Sequence, residues 1–242
     1  MIPWLEGEPA FPPLAHALAE PNGLLAAGGE LEPRWLLAAY RRGIFPWFSE
    51  GEPILWWSPD PRLVLVPGEI RVHRSLRRTL RRRAFGVRLD TAFADVMAGC
   101  AAPRDPGGGT WILPAMQRAY ARMHELGYAH SVECWREGRL VGGLYGIALG
   151  RVFFGESMFS HETDASKVAL AHLAHLLERW GYRLIDCQMT TSHLLSMGAR
   201  EIPRVLFAGA LARWTPDGPP PGHWPAEAAA AIDWSATTSA HP

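Results

Sequence analysis

Glu156 stands inside V-F-F-G-E-S-M-F-S, residues 152–160, a run that is otherwise apolar or small. A carboxylate in such a run is costly to bury unless a partner or a substrate uses it. Asp186 and Gln188 repeat the pattern at the end of Y-R-L-I-D-C-Q, residues 182–188, spaced to share one face of a strand. Two acids and an amide that meet either satisfy one another as a buried network or hold and orient a reacting group. Whether they meet depends on the elements that carry them. Between the two runs, Leu170, Leu173, Leu177 and Trp180 recur at three and four. That spacing predicts an amphipathic helix over 166–180, capped by Thr163 or Asp164 and closed by Gly181. A strand, helix, strand unit crosses over right-handed and lays its strands parallel. If the two strands are neighbours, Glu156, Asp186 and Gln188 converge.

A second concentration of chemistry is basic. Residues 71–88 hold eight arginines and one histidine with no acid. Over a predicted helix at 74–83, Leu76 and Leu80 lie together, and Arg74, Arg77, Arg78, Arg81 and Arg82 fill an arc of roughly 140° opposite. Such a run is ordinarily a solvated face relieved by acids one turn away. Here those acids are missing, which points to a polyanion, with a phosphate backbone as the natural candidate. A third concentration is aromatic: I-F-P-W-F-S-E-G-E-P-I-L-W-W-S-P-D-P-R, residues 44–62, is too rigid for a linker. It is either a tryptophan-rich packing layer or the wall of an apolar ligand pocket.

The chain has 242 residues, 48% of them apolar, and a formal net charge of zero. That length buries a full core, in one large domain or one large and one small. Cys100, Cys134 and Cys187 lie far apart with no C-x-x-C spacing. They argue for a reducing compartment and against structural zinc. No charged-then-apolar leader and no apolar run of about 20 residues is present, so a cytoplasmic protein with no membrane association is expected.

Along the chain the expected helices are 33–42, 74–83, 114–126, 166–180 and 191–197. The expected strands are 62–67, an antiparallel meander at 131–135, 139–148 and 151–154, and 182–188. Residues 101–110 read as a Gly-rich loop without the G-K-[ST] ending of a phosphate loop. The expected organisation is a small Trp/Pro-rich subdomain (1–61), a catalytic domain (62–214) carrying the basic helix, and a Pro/Ala-rich tail (215–242) that does not fold alone. The fold class is α+β, a mixed sheet flanked by helices. Its order resembles the acyltransferase fold of coenzyme A-dependent N-acetyltransferases. Where those enzymes seat a pyrophosphate, this chain has S-H-E-T-D-A-S-K, residues 160–167, with no glycine and with Glu162 and Asp164 expected to repel it.

Longer segments carry a closer resemblance. E-P-N-G-L-L-A-A-G-G-E-L, R-R-G-I-F-P-W-F-S, P-I-L-W-W-S-P-D-P-R, G-T-W-I, V-G-G-L-Y-G, G-E-S-M-F-S, A-S-K-V-A-L, L-I-D-C-Q and L-L-S-M-G-A-R-E-I-P-R occur in this order between Phe11 and Trp214. Together they closely resemble the bacterial leucyl/phenylalanyl-tRNA-protein transferases. The resemblance implies transfer of Leu or Phe, and also Met, from aminoacyl-tRNA to an N-terminal Arg or Lys, marking the acceptor protein for the N-degron pathway. A monomer with no metal and no cofactor is expected.

The resemblance also assigns residues. Asp186 polarises Gln188, which draws a proton from the incoming amine, while Glu156 binds substrate. A neutral carboxamide is too weak a base to hold a proton near pH 7, so a positioning role is expected, with Asp186 orienting Gln188 and the amide carbonyl accepting from the amine. Glu156 and Asp186 together are expected to lend the site negative charge for a cationic acceptor. The aminoacyl side chain is expected against Trp47, Trp111, Leu144, Met158 and Ile185, and tRNA phosphates against Arg74, Arg77, Arg78, Arg81 and Arg82. The alternatives are an acyltransferase using a small thioester and a non-catalytic RNA-binding module.

Overall fold

The computed structural model describes residues 2–103 and 110–235. The Gly-rich run at 107–109 and residues 236–242 lie outside the described residues.

Near the N-terminus, β1 (Trp4–Leu5), β2 (Leu24–Gly28), β3 (Phe45–Pro46) and β4 (Leu55–Trp57) form a small sheet in the order β1-β2-β4-β3. Helix α1 (Pro33–Tyr40) starts on a proline, whose missing N–H costs nothing in a first turn. Trp35 of α1 stacks on Trp56 of β4 at 6.2 Å, and Phe11 meets Trp56 edge-on at 4.9 Å. The aromatic segment is divided between a packing layer and a cavity wall. Trp56 is fully buried in the packing layer, whereas Trp47 is 39% exposed and turned to a cavity.

The larger sheet takes β5 (Arg62–Leu65), β6 (Gly86–Leu89), β7 (Ala129–Arg136), β8 (Arg139–Leu149), β9 (Val152–Ser160), β10 (Leu184–Gln188) and β11 (Arg200–Ile202). Their order is β11-β5-β10-β9-β8-β7-β6, and only β9 and β10 pair parallel. The other helices are α2 (Arg74–Arg81), α3 (Phe93–Ala101), α4 (Pro114–Glu125), α5 (Ala165–Arg179), α6 (Ser192–Ser196) and α7 (Arg204–Trp214). Residues of α1, α3, α4 and α7 fill one apolar layer, continuous with the N-terminal sheet, and α2 and α5 fill the other. The fold is α+β, with a mixed sheet between helical layers.

The predicted crossover is present, since β9, α5 and β10 run in sequence and the two strands are parallel neighbours. Glycines permit close approach between strands and between sheet and helix. A Cβ on Gly146 would collide with the Phe154 carbonyl, and one on Gly142 would meet the Ala165 methyl at 2.5 Å. Two local readings need correction. The third meander strand does not stop at Phe154 but runs to Ser160 through Glu156. Asp164 starts α5 in the left-handed region (φ 69°) without a side-chain cap, and its carboxylate instead binds Thr79 and Lys167. The short elements β6, α3, α7 and β11 carry no clear periodicity and were not anticipated.

The Pro/Ala-rich segment packs onto the domain. The indole of Trp224 stacks on His130 at 3.9 Å, and Trp234 Nε1 donates to His172 Nε2 at 2.9 Å. Ala229 and Ile232 join the second apolar layer. Asp90, His124 and His223 bring metal-type ligand atoms within 4.8 Å of one another, but Asp90 already accepts from the Ser131 and Trp224 N–H groups and contacts His130 Nδ1. No helix among the described residues is long and apolar enough to cross a membrane.

A candidate active site where two parallel strands part

β9 and β10 pair from Val152–Leu184 to Phe154–Asp186 and then separate, β9 continuing against β8 as far as Ser160. Each strand is irregular at the point of separation. In β9 the register passes from Gly155–Gly146 to Ser157–Tyr145, which leaves Glu156 as the extra residue of a bulge. In β10 it passes from Asp186–Val64 to Gln188–Leu63, which leaves Cys187 as the extra residue. A bulge bends its strand and re-aims side chains, and here two bulges face one gap. Gln188 takes φ 59° there, a conformation costing a non-glycine about 1–3 kcal/mol. Its N–H donates to Asp186 Oδ1 at 2.9 Å, holding the turn in place.

The gap opens into a cavity of about 880 Å³. Glu156, Asp186 and Gln188 line it, and so do Trp47, Trp111, Leu144, Met158 and Ile185. Trp111 belongs to the apolar layer on one side of the sheet, and Leu144, Met158 and Ile185 to the layer on the other. The cavity therefore draws walls from both faces at the point where the sheet is open.

Glu156 is the hub. It accepts from Tyr40 Oη at 2.8 Å, Tyr120 Oη at 3.0 Å and Gln188 Nε2 at 2.8 Å. Burial pushes its carboxyl up to about 7, the two tyrosine hydrogen bonds opposing and the Asp186 charge adding. With Nε2 committed to Glu156, the Gln188 carbonyl Oε1 is left as an acceptor with no partner among the described residues. Asp186 has a different environment. Arg62 Nε and Nη2 grip its two oxygens at 2.8 and 2.7 Å, and both side chains are fully buried. Phe45 and Phe207 each lie 4.8 Å from the guanidinium carbon.

This pairing corrects one expectation. The charge of Asp186 is met by Arg62, so Glu156, when ionised, is the unmatched carboxylate of the cluster. Asp186 contacts Gln188 through the backbone N–H, not through the side-chain amide. Arg62, Tyr40 and Tyr120 were missed. Arg62 left a faint signal, since it opens the apolar strand R-L-V-L and a cation drawn into that strand needs a partner. Tyr40 and Tyr120 left none, because each occupies an ordinary core position of its helix.

The five arginines of the basic helix lie apart from the cavity lining. Leu76 and Leu80 are buried as expected, Arg74, Arg78, Arg81 and Arg82 are exposed and Arg77 is half-buried. None of the five has an ion-pair partner among the described residues. At the cavity rim the two acids have cationic neighbours. Glu162 pairs with Arg136 and lies 4.0 Å from Arg139, and Asp164 lies 3.4 Å from Lys167.

The mixed sheet is thus opened between two parallel strands, with the helix that joins them starting at the rim. The sequence model described as leucyl/phenylalanyl-tRNA protein transferase matches residues 64–212, and that of the corresponding N-terminal domain matches 29–60. The leucyl/phenylalanyl-tRNA–protein transferase of Azoarcus sp. (strain BH72) is 70% identical over 97% of this chain and 100% of its own length. Its counterpart from Aromatoleum aromaticum is 69% identical over 96% of this chain and 98% of its own. The GCN5-related N-acetyltransferase from Kribbella flavida is 12% identical over 70% of this chain and 60% of its own, with a TM-score of 0.36, too loose a likeness to carry an argument. The chain belongs to the leucyl/phenylalanyl-tRNA protein transferase family and is an aminoacyltransferase.

Proposed function

We propose that this enzyme transfers leucine, phenylalanine or methionine from aminoacyl-tRNA to proteins that begin with Arg or Lys, as a monomer in the cytoplasm, marking them for the N-degron pathway. The observation that carries the reading is the meeting of eight side chains at one opening in the sheet, three polar and five apolar, drawn from segments between Trp47 and Gln188.

The aminoacyl side chain sits among Trp47, Trp111, Leu144, Met158 and Ile185, which favours chains unbranched at Cβ and disfavours Val and Ile by shape, at about 1–3 kcal/mol per misplaced methylene. The ester carbonyl then lies in the gap. An α-amino group has a pKa of about 7.7–8.0, so a useful fraction is neutral near pH 7.4 without a strong base. Gln188 Oε1 accepts a hydrogen bond from that amine and aligns it on the carbonyl carbon. The C–N bond forms, the tetrahedral centre collapses, the ester C–O bond breaks, and the proton lost by the amine ends on the departing ribose oxygen. Glu156 holds the Gln188 amide and supplies negative charge for the cationic acceptor side chain. Arg74, Arg77, Arg78, Arg81 and Arg82 hold acceptor-stem phosphates, contacts that position the tRNA without reading its sequence.

The test is incubation of the purified protein with radiolabelled Leu-tRNA, Phe-tRNA and Ile-tRNA, each with a peptide beginning in Arg. Label is expected in the peptide from Leu and Phe, with Ile lower by at least about tenfold. No transfer from any donor, with tRNA binding intact, would sink the reading. Binding that ignores whether the tRNA is charged would favour a non-catalytic RNA-binding module.

A further inference from the structure

The mouth of the cavity carries two basic side chains to which the proposed transfer chemistry gives no task. Lys167, the only lysine in the chain, stands in the first turn of α5 and lines the cavity with its side chain 40% exposed. His193 of α6 lines it as well, and its Nε2 is buried with no hydrogen-bond partner among the described residues. The two are near enough that the Lys167 charge, after burial, depresses the protonation of His193. Neutral His193 still offers one ring N–H.

Their surroundings join the basic helix to the cavity. Thr79 of α2 reaches Asp164 at the rim at 3.1 Å, and His73, just before α2, lies with Nε2 2.7 Å from the Ser196 carbonyl of α6. A tRNA that rests its acceptor stem on α2 and places its ester between β9 and β10 must cross this rim with its last nucleotide. The anion it brings is the 5′-phosphate of that nucleotide, one ribose away from the ester. Glu162 is matched by arginines and Asp164 by Thr79 and Lys167, which lessens the repulsion the two acids would offer it.

We propose that Lys167 and His193 form the binding subsite for the 5′-phosphate of the terminal nucleotide of aminoacyl-tRNA. This rests on the function proposed above. The Lys167 ammonium, with three donors, bridges Asp164 and the phosphate, a charge-assisted contact, and Asp164 keeps Thr79 as well. His193 donates the second hydrogen bond.

The experiment compares three donors with the full-length enzyme and an Arg-initiated peptide: Leu-tRNA, 3′-O-leucyl-adenosine, and the same nucleoside bearing a 5′-phosphate. For the wild type, the phosphate is expected to lower KM. In Lys167→Met, and separately in His193→Ala, the ratio of KM for the phosphorylated donor to KM for the bare nucleoside rises by roughly tenfold with kcat retained, and Lys167→Arg restores most of it. The bare nucleoside also reports that each variant is folded. Variants that raise KM equally for donors with and without phosphate, or for neither, overturn the proposal. Wild-type enzyme that transfers from none of the three overturns the underlying function and the subsite with it, a failure visible before any variant is made.

Discussion

The guanidinium of Arg62, between Phe45 and Phe207, holds both oxygens of Asp186 with no water-exposed surface on either side chain. Removing one partner strands the other as an unpaired buried charge, whereas replacing both with apolar groups can be close to neutral. Arg62→Met is therefore expected to lose about 3–5 kcal/mol in urea denaturation, and Arg62→Met combined with Asp186→Leu to regain most of it. The double variant still lacks the oxygen that receives the Gln188 N–H, so transfer should remain down by about a hundredfold or more. Recovery of activity together with stability would show that the pair only fills space. Glu156 yields a pH dependence. Its carboxyl, at about 7 in the folded chain against an ordinary 4.5, favours the folded state most when protonated. That contribution is complete below pH 4.5 and is lost as pH rises through 7. Glu156→Gln should thus gain on the wild type across that window, by on the order of 3 kcal/mol, and run parallel to it below. A difference that does not change with pH would mean that the carboxyl is not desolvated as described.

Two bulges and one crossover helix create the opening. The helix was legible because its leucines keep a spacing of three and four, and the meander because tight turns at Gly138 and Gly150 separate its strands. The bulge at Glu156 was not legible. In the sequence it looks like the interruption of a strand, and only the pairing with β8 shows the strand continuing around an extra residue. Helices α3 and α7 escaped because small residues occupy much of their surfaces, and β1 and β3 because two residues carry no period. The C-terminal segment is tied down by Trp234, whose indole N–H donates to neutral His172; burial lowers that imidazole to about 4 from an ordinary 6.5. A depressed histidine stabilises above its unfolded value and loses that contribution as pH falls through its folded value. Limited proteolysis at 226–232, the alanine-rich stretch next to Trp234, is accordingly expected to accelerate between pH 6.5 and 4. In Trp234→Phe it should already be fast at neutral pH; cleavage that is insensitive to both changes would remove this anchor.

The molecule sets a basic surface beside an apolar cavity with a polar floor, and the two should fail differently. Charge reversal at Arg78 and Arg81 is expected to raise the KM for aminoacyl-tRNA and to flatten its dependence on log salt by about one unit of slope for each phosphate no longer neutralised. Salt response identical to the wild type would take the tRNA away from α2. The run of arginines without acids, the apolar runs broken by Glu156 and Asp186, and the family segments were all readable from order and spacing, because propensity, periodicity and the cost of a buried charge are properties of a residue and its near neighbours. The tertiary structure decided which partner each charge received. Arg62 meets Asp186 from 124 residues away, and Tyr40 meets Glu156 from 116. Those pairings fix which carboxylate is neutralised and which is left to titrate near 7, because desolvation and Coulomb interaction depend on distance in space and not on separation along the chain.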